Sequence, residues 1–312
     1  MKNLYGYLSV FLCLVLLLFP LISSQDADLA QAVSGSTTVE KEDTYFRIKN
    51  SDSGQVSKIS ARDYVIGVVA AEMPALYSEE ALKAQAVASY TYALYKKQEN
   101  TGKDYDLTDS HITDQSFITT AQMQEKWGEG YSEYLEKITL AVESVLGKTV
   151  KYDGKYALTV YTAISSGKTE DAKNVWGKEI PYLTPTESVG DLLCPDYLST
   201  VSLSADEIRA KIPSIAQVDS SLWFSSPTHS DSGTVLNMSF GETVLTGEEI
   251  RTALSLKSAN FDVKFENDAF VFTVRGYGHL VGMSQYGANY MALQGSKYDE
   301  ILKWYYKGCT VS

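Results

Sequence analysis

One glutamate is a candidate acid catalyst. Glu72 ends the stretch 60–74, which carries valines at the i, i+3 and i+4 spacing of a short helix, Val65, Val68 and Val69. It therefore falls on the apolar face, in the last turn, just before a proline that cannot continue a helix. The helix C-terminus disfavours a negative charge, and burial raises a carboxyl pKa. Both effects favour the protonated carboxyl that a general acid needs.

Periodicity alone leaves a second interpretation open, in which Glu72 makes a buried structural hydrogen bond or salt bridge. The sequence contains no His-Glu-x-x-His, no Gly-x-Ser-x-Gly and no Gly-rich phosphate-binding motif. A net charge of -12 disfavours nucleic acid as a partner, since phosphates need a basic surface. Cys13 lies in an apolar leader, so at most one disulfide could form, between Cys194 and Cys309, and the sequence does not say whether it does.

The elements that must position Glu72 are predicted as helices and antiparallel hairpins, an α+β fold that forms a groove. Ser60 followed by Asp63 resembles a capping box for the Glu72 helix. Asp153-Gly154 between alternating segments predicts a tight hairpin turn. The expected strands are 45–48, 56–59, 149–152, 155–161, 234–240, 261–265 and 269–274, and the main helices are 78–95, 132–146, 284–293 and 298–306.

The chain divides into segments of different composition. Residues 1–24 are apolar after Lys2 and are expected to be an uncleaved signal anchor rather than a cleaved leader. Residues 25–43 are small and polar and predict a flexible stalk. Residues 44–312 form the expected catalytic domain, with a smaller inserted lobe at about 198–257. Two capping boxes begin helices in that lobe, Ser204-x-x-Glu207 and Thr246-x-x-Glu249.

Three motifs in order carry a resemblance to a known family. They are Val-Ile-Gly-Val-Val-Ala-Ala-Glu-Met-Pro at 65–74, Glu-Ala-Leu-Lys-Ala-Gln-Ala-Val-Ala at 80–88 and Gly-Tyr-Gly-His-Leu-Val-Gly-Met-Ser-Gln-Tyr-Gly-Ala at 276–288. Together they resemble the stage II sporulation protein D family, over roughly residues 44–310. The loop 162–170 resembles that family's His-Ser-Thr-Ser-Gly-Gly-Lys-Thr-Glu segment, with Thr162 in place of the His.

The resemblance implies a function. Members of the family are lytic transglycosylases of the cell wall or amidase enhancers. By resemblance, Glu72 would cleave the bond between N-acetylmuramic acid (MurNAc) and N-acetylglucosamine (GlcNAc), leave a 1,6-anhydro end, and prefer glycan stripped of peptide. The implied setting is engulfment in a spore-forming bacterium, at the mother-cell membrane of the septum and with the body of the protein extracytoplasmic. The implied partners are the sporulation amidase and a membrane scaffold protein.

The resemblance also implies site residues. Substrate-binding positions are expected at Gln85, Lys168, His279, Gln285 and Tyr286, although Gln85 could equally be a packed core residue. Some members hold zinc through His and Cys from two loops. Because Thr162 replaces one His, and His111 lies out of register with no Cys nearby, no metal or other cofactor is expected here.

The alternative functions are a glycan-binding amidase enhancer without catalysis and, more remotely, a structural tether at the septum. The incomplete zinc motif favours the enhancer, as does Ser89, which stands where the family usually has Arg.

Overall fold

The computed structural model describes residues 44–312. The expected signal anchor at 1–24 and stalk at 25–43 lie outside the described residues. None of the helices within 44–312 combines the length and the apolar composition needed to cross a lipid bilayer.

The described chain is a mixed α/β structure built from helices and small sheets. The helices are α1 (Ala61–Glu72), α2 (Glu79–Glu99), α3 (Thr120–Trp127), α4 (Tyr131–Val145), α5 (Ala172–Trp176), α6 (Ala205–Lys211), α7 (Gly247–Leu254), α8 (Gln285–Leu293) and α9 (Tyr298–Tyr305). The strands are β1 (Tyr45–Lys49), β2 (Val56–Ser60), β3 (Leu107–Thr108), β4 (Val150–Tyr152), β5 (Lys155–Tyr156), β6 (Tyr161–Thr162), β7 (Leu198–Ser204), β8 (Ser225–His229), β9 (Val235–Phe240), β10 (Thr243–Thr246), β11 (Phe261–Glu266), β12 (Ala269–Arg275), β13 (Met283–Ser284) and β14 (Thr310–Val311).

Helix α1 begins and ends where its sequence predicts. The Ser60 side chain accepts a hydrogen bond from the Asp63 N–H, and its hydroxyl donates to the Asp63 carboxylate at 2.8 Å. Glu72 is the last residue of the helix, and Pro74 follows two residues later, after the C-cap Met73. Most of α1 between Ala61 and Ala70 is buried, so the helix lies inside the core rather than on its surface.

Helix α2 is the centre of the larger hydrophobic cluster. It packs against α1, α4, α8 and α9. Small buried alanines along α2 allow these neighbours to approach closely. The helix runs to Glu99, one turn beyond the predicted end near residue 95, with Lys96 and Lys97 in its last turn.

The sheets only partly match the expected hairpins. Strands β1 and β2 pair antiparallel as predicted, and the β4–β5 turn is made by Asp153 and Gly154, both at positive φ. Two pairings are instead parallel, β1 with β3 and β6 with β13. The expected strand 155–161 was therefore wrong as one element, because Tyr161 leaves the hairpin to pair with Met283.

A second hydrophobic cluster lies in the later part of the chain, between Ile208 and Val274. Both predicted capping boxes are present, at Ser204 and Thr246. The hairpin β11–β12 pairs with β7 and packs into this cluster, so the cluster extends beyond residue 257. The lobe boundaries themselves stay a prediction.

Candidate functional site

The Glu72 carboxyl group is partly buried at the end of α1. Its Oε1 accepts a hydrogen bond of 2.7 Å from the backbone N–H of Ser116. Burial raises the pKa of this carboxyl above its ordinary value. Hydrogen bonds from the backbone and side chain of Ser116, the charge of His111 and a hydrogen bond from Gln285 partly oppose this rise. The site therefore favours a carboxyl that keeps its proton more readily than an exposed glutamate does.

A glycine brings Ser116 to Glu72. Gly67 lies on the face of α1 against the ring of Phe117, where a Cβ atom would collide with that ring. The Ile118 N–H donates to the Gly67 carbonyl at 3.3 Å, and Phe117 stacks on Tyr64 with ring centroids 5.6 Å apart. The absent side chain thus lets the loop that carries Ser116 lie directly on α1.

Buried amides connect Glu72 to the core. Gln285, the first residue of α8, donates from Nε2 to the Gln85 Oε1 at 3.3 Å, and Gln85 donates to the Ser89 hydroxyl at 3.1 Å. Gln85, Ser89 and Gln285 are all at most 4 % exposed. Gln85 therefore lies behind Gln285 and does not itself face a groove. Such fully hydrogen-bonded polar chains orient a site rigidly.

A second buried amide, that of Gln115, holds the loop that carries Ser116. Gln115 donates from Nε2 to the Tyr64 hydroxyl at 3.0 Å and to the Ser89 carbonyl at 3.2 Å. It accepts from the Tyr161 hydroxyl at 2.9 Å. Because Gln115 adjoins Ser116, this network fixes the loop whose N–H group holds Glu72.

A cavity of about 590 Å³ opens beside this network. It is lined by Tyr92, Tyr95, Lys96, Glu99, Asn100, Lys103, His111, Ile112, Thr113, Asp114, Gln115, Leu158, Val160, Tyr161, Trp176 and His279. Glu72 is not part of the lining itself, but Gln115 and Tyr161 are, and the charge of His111 acts on Glu72. The carboxyl thus lies just behind one wall of an aromatic cavity.

His279 lines the cavity as an uncharged ring. It packs on Trp176 with ring centroids 5.1 Å apart, and its Nδ1 accepts from the Val281 N–H at 3.1 Å. Burial lowers the pKa of His279 to about 4, so the imidazole is neutral near pH 7. Its role there is contact and hydrogen bonding rather than charge.

Comparisons with known proteins show the family of this chain. The family model described as Stage II sporulation protein matches residues 49–152. "Stage II sporulation protein D" of Bacillus subtilis (strain 168) is 36% identical over 289 residues, covering 90% of this chain and 82% of that protein. The chain belongs to the stage II sporulation protein D family. The protein of the same name from Bacillus amyloliquefaciens is 36% identical over 271 residues, covering 85% of this chain and 78% of that one.

A further relative carries a different name. The "Amidase enhancer" of Bacillus subtilis (strain 168) is 29% identical over 304 residues. The match covers 79% of this chain but 40% of that protein.

The glycine-rich segment at 276–282 packs tightly on the loop 162–170. Gly278 sits at φ +110°, and a Cβ there would collide with the Thr162 hydroxyl. That hydroxyl donates to the Tyr277 carbonyl at 2.8 Å. Thr162 is thus a packing residue in the position where the family pattern has His.

Buried Asp191 ties the same loop to α8. It accepts hydrogen bonds from the Ser165 backbone and hydroxyl, and from the Ser284 hydroxyl at 2.7 Å. Ser284 is the N-cap of α8, accepting from the Gly287 N–H. Asp191 therefore fixes the helix start that presents Gln285 to Glu72.

Two expected substrate-binding residues, Lys168 and Tyr286, are not among the cavity residues and make other contacts. Lys168 is paired with Glu187 at 3.7 Å and is not among the cavity residues. The Tyr286 hydroxyl donates to the Leu193 carbonyl at 3.4 Å, and its ring packs edge-on against Tyr77. Gln285 thus acts on Glu72 and is hydrogen-bonded to Gln85, His279 lines the cavity, and Lys168 and Tyr286 are not among the cavity residues.

Sequence reasoning missed Gln115, Tyr161 and Trp176. Gln115 follows an acidic loop and carries no local signal, because its role depends on partners 26 to 51 residues away in sequence. Trp176 lies in a five-residue helix, between the N-cap Asp171 and Gly177, that is too short to show helical periodicity.

The possible metal ligands do not converge in residues 44–312. No group of three or more His, Cys, Asp and Glu side chains there could hold a metal ion. His111 is exposed on the cavity rim. Cys194 and Cys309 are both free thiols, so the disulfide that the sequence left open is not formed.

Proposed function

We propose that this protein is a lytic transglycosylase that cleaves the MurNAc–GlcNAc bond of peptidoglycan strands. The observation that carries the proposal is the Glu72 carboxyl group, which is partly buried, has a raised pKa, and lies behind the wall of the aromatic cavity. A general acid works best when its pKa lies near the working pH.

The reaction needs one carboxyl group in two protonation states. Protonated Glu72 gives its proton to the glycosidic oxygen as the bond from MurNAc C1 to that oxygen breaks. The resulting Glu72 carboxylate then takes the proton of the MurNAc 6-hydroxyl, whose oxygen bonds to C1 and closes the 1,6-anhydro ring. The proton is returned to Glu72, and no water is consumed.

Hydrolysis would require a second working carboxylate. Asp114 also lines the cavity, but its oxygens are already engaged. Oδ1 pairs with Lys96 at 2.8 Å and Oδ2 accepts from the Thr108 N–H at 2.8 Å. This engagement removes Asp114, but not the exposed Glu99 of the same lining, as a second carboxylate, so the product ends must separate the two reactions.

The cavity surfaces suit sugars. Trp176 is 43% exposed beside His279, and Tyr161 contributes a second ring. Aromatic faces pack against the apolar faces of sugar rings, while the polar tips of Tyr and His remain available for hydroxyl groups. We expect the glycan strand to run past this cavity to the partly exposed Glu72 carboxyl, where the scissile bond would lie.

Mass spectrometry of product ends tests the proposal. Purified protein is incubated with peptide-stripped sacculi, and anhydro-MurNAc ends are counted. The wild-type protein releases them, and Glu72→Ala releases none. The matched control is Glu136→Gln, an exposed glutamate on α4. Reducing ends in place of anhydro ends would contradict the proposed reaction.

A second candidate is a glycan-binding amidase enhancer without catalysis. The similarity to the amidase enhancer favours it, as does Ser89, which is buried in the amide network where the family pattern has Arg. If the wild-type protein releases no anhydro ends yet accelerates an amidase on intact sacculi, the second candidate is correct.

The cellular setting is also a proposal. Residues 1–24 would anchor the chain in the mother-cell membrane, with the body outside the cytoplasm at the engulfing septum. The sporulation amidase and a membrane scaffold protein would be its partners. Fractionation of sporulating cells tests the anchor: the full chain should sediment with membranes, and a secreted chain that lacks residues 1–24 should not.

A further inference from the structure

A lysine approaches the end of the Glu72 helix. The Lys126 Nζ donates to the Ala70 carbonyl at 2.8 Å and to the Ala71 carbonyl at 3.2 Å, and Glu72 is the next residue. Lys126 lies on α3, whose start is fixed by a capping box between Thr119 and Gln122.

This ammonium group has binding capacity left. It carries three N–H donors, of which the two helix carbonyls engage two. Among residues 44–312, no carboxylate lies within 4.0 Å of the Lys126 Nζ. The charge of Glu72 nevertheless acts on Lys126, opposing the effect of burial, which lowers the lysine pKa. Lys126 is thus a cation with a free donor close to the candidate acid.

Lys96 and Lys168 are already paired with carboxylates, whereas within residues 44–312 Lys103 of the cavity lining is not. Lys96 on the cavity wall pairs with Asp114 at 2.8 Å, and Lys168 pairs with Glu187 at 3.7 Å. A new anion at either position would have to displace a protein carboxylate. Lys126 can accept an anion without such an exchange.

The substrate of the proposed reaction carries an anion whose presence depends on its peptide. The lactyl group on MurNAc O3 ends in a free carboxylate when no stem peptide is attached, and in an uncharged amide when one is. A protein of net charge -12 repels an anionic strand unless a cation receives it locally.

We propose that Lys126 binds the free lactyl carboxylate of the MurNAc residue at Glu72 and so makes the enzyme selective for peptide-free glycan. The inference rests on the proposed function, and it assigns a specificity-determining role to this side chain. A lysine-to-carboxylate hydrogen bond is charge-assisted and among the stronger hydrogen bonds in proteins.

The competing explanation is structural, because a cation also stabilises the carbonyl groups at a helix C-terminus. Loss of such a contact would weaken cleavage of every substrate alike. The test therefore compares two substrates that differ in the carboxylate alone.

The experiment uses peptide-free glycan strands and the same strands with their lactyl carboxylates converted to methylamides. We expect the wild-type kcat/KM to be about tenfold or more higher for the carboxylate form, the range of one charge-assisted hydrogen bond. Lys126→Met should lose this preference by losing rate on the carboxylate form only. Lys137→Met, which removes a lysine that donates to the Tyr77 carbonyl at 2.7 Å, is the matched control and should keep it.

Equal losses on both substrates in Lys126→Met would overturn the inference. Binding of the same two strands to Glu72→Gln, followed by fluorescence anisotropy, provides a readout that does not need turnover. If no anhydro ends are released but Lys126→Met still removes the carboxylate preference in binding, the proposed reaction is wrong and the Lys126 site stands. If the binding preference survives in Lys126→Met, the site is wrong whatever the reaction.

Discussion

The two hydrophobic clusters of this protein are built from different kinds of residue. The larger one contains a buried polar network, in which Gln85, Ser89, Gln115 and Gln285 are hydrogen-bonded around Glu72. The second is aromatic, with Phe224 packing edge-on against Phe240 at 4.8 Å and Phe272 at 5.1 Å.

Charged groups follow the same division. The described residues outside 198–275 include buried Asp106, Glu170 and Asp191, whereas residues 198–275, all of them described, bury no Asp, Glu, Lys, Arg or His. A buried polar group costs free energy unless it is hydrogen-bonded, so a polar core gives orientation at the expense of stability. We infer that the proposed reaction takes place beside the larger hydrophobic cluster and that the second cluster mainly stabilises the fold.

The largest expected effect is on catalysis. Glu72→Gln keeps the shape of the side chain but cannot donate a proton as a carboxylic acid does. We expect turnover to fall by about 10²- to 10⁴-fold, the usual contribution of a general acid. Chemical denaturation should show little change in stability, because the amide oxygen can still accept the hydrogen bond from the Ser116 N–H. Turnover close to wild type would remove Glu72 from the mechanism.

The second cluster should respond in the opposite way. Phe272→Ala removes a fully buried ring that contacts Phe224 and Phe261. We expect the free energy of unfolding to fall by about 3–5 kcal/mol. Turnover per folded molecule, measured below the new melting temperature, should change less than the turnover of Glu72→Gln. A loss of turnover as large as that of Glu72→Gln would contradict the inference that the second cluster mainly supplies stability.

A smaller effect on stability and turnover is expected where the loop that contains Ser116 and Phe117 lies on α1. Gly67→Ala introduces a methyl group into the space of the Phe117 ring. Overpacking of this kind costs about 1–3 kcal/mol, and it should move Ser116 away from Glu72. Both a lower melting temperature and a lower turnover are expected.

The smallest expected effect is a shift in pH dependence. Activity needs protonated Glu72, so it falls as the pH rises through the pKa of that carboxyl. The Gln285 hydrogen bond favours the charged form and lowers the pKa. Gln285→Leu should therefore raise the Glu72 pKa and move the alkaline limb of the pH–rate profile to higher pH, by roughly one unit or less. A shift toward lower pH would contradict this contact.

Local signals explain what could be predicted from the sequence. The Ser60 cap, the Asp153-Gly154 turn and the capping boxes at Ser204 and Thr246 involve neighbours within three residues, and the structure confirms each of them. The position of Glu72 at the end of α1 was also predicted, because helix periodicity and the following proline fix it.

Non-local pairings explain what could not. Helix α3 was missed because its sequence is polar and buries only Met123. The parallel pairing of Tyr161 with Met283 joins residues far apart in the chain, and no local sequence pattern predicts it. The amide network around Gln115 was missed for the same reason. Lys126 was overlooked together with its helix.

The pKa of Glu72 tests the central claim most directly. The carboxyl signal can be followed by carbon NMR as a function of pH and assigned by its absence in Glu72→Gln. The account predicts a pKa above the ordinary glutamate value of about 4.3, so that a useful fraction keeps its proton toward neutral pH. A pKa at or below that value would mean a carboxylate exposed or paired at the end of α1, and it would contradict the assignment of Glu72 as the acid.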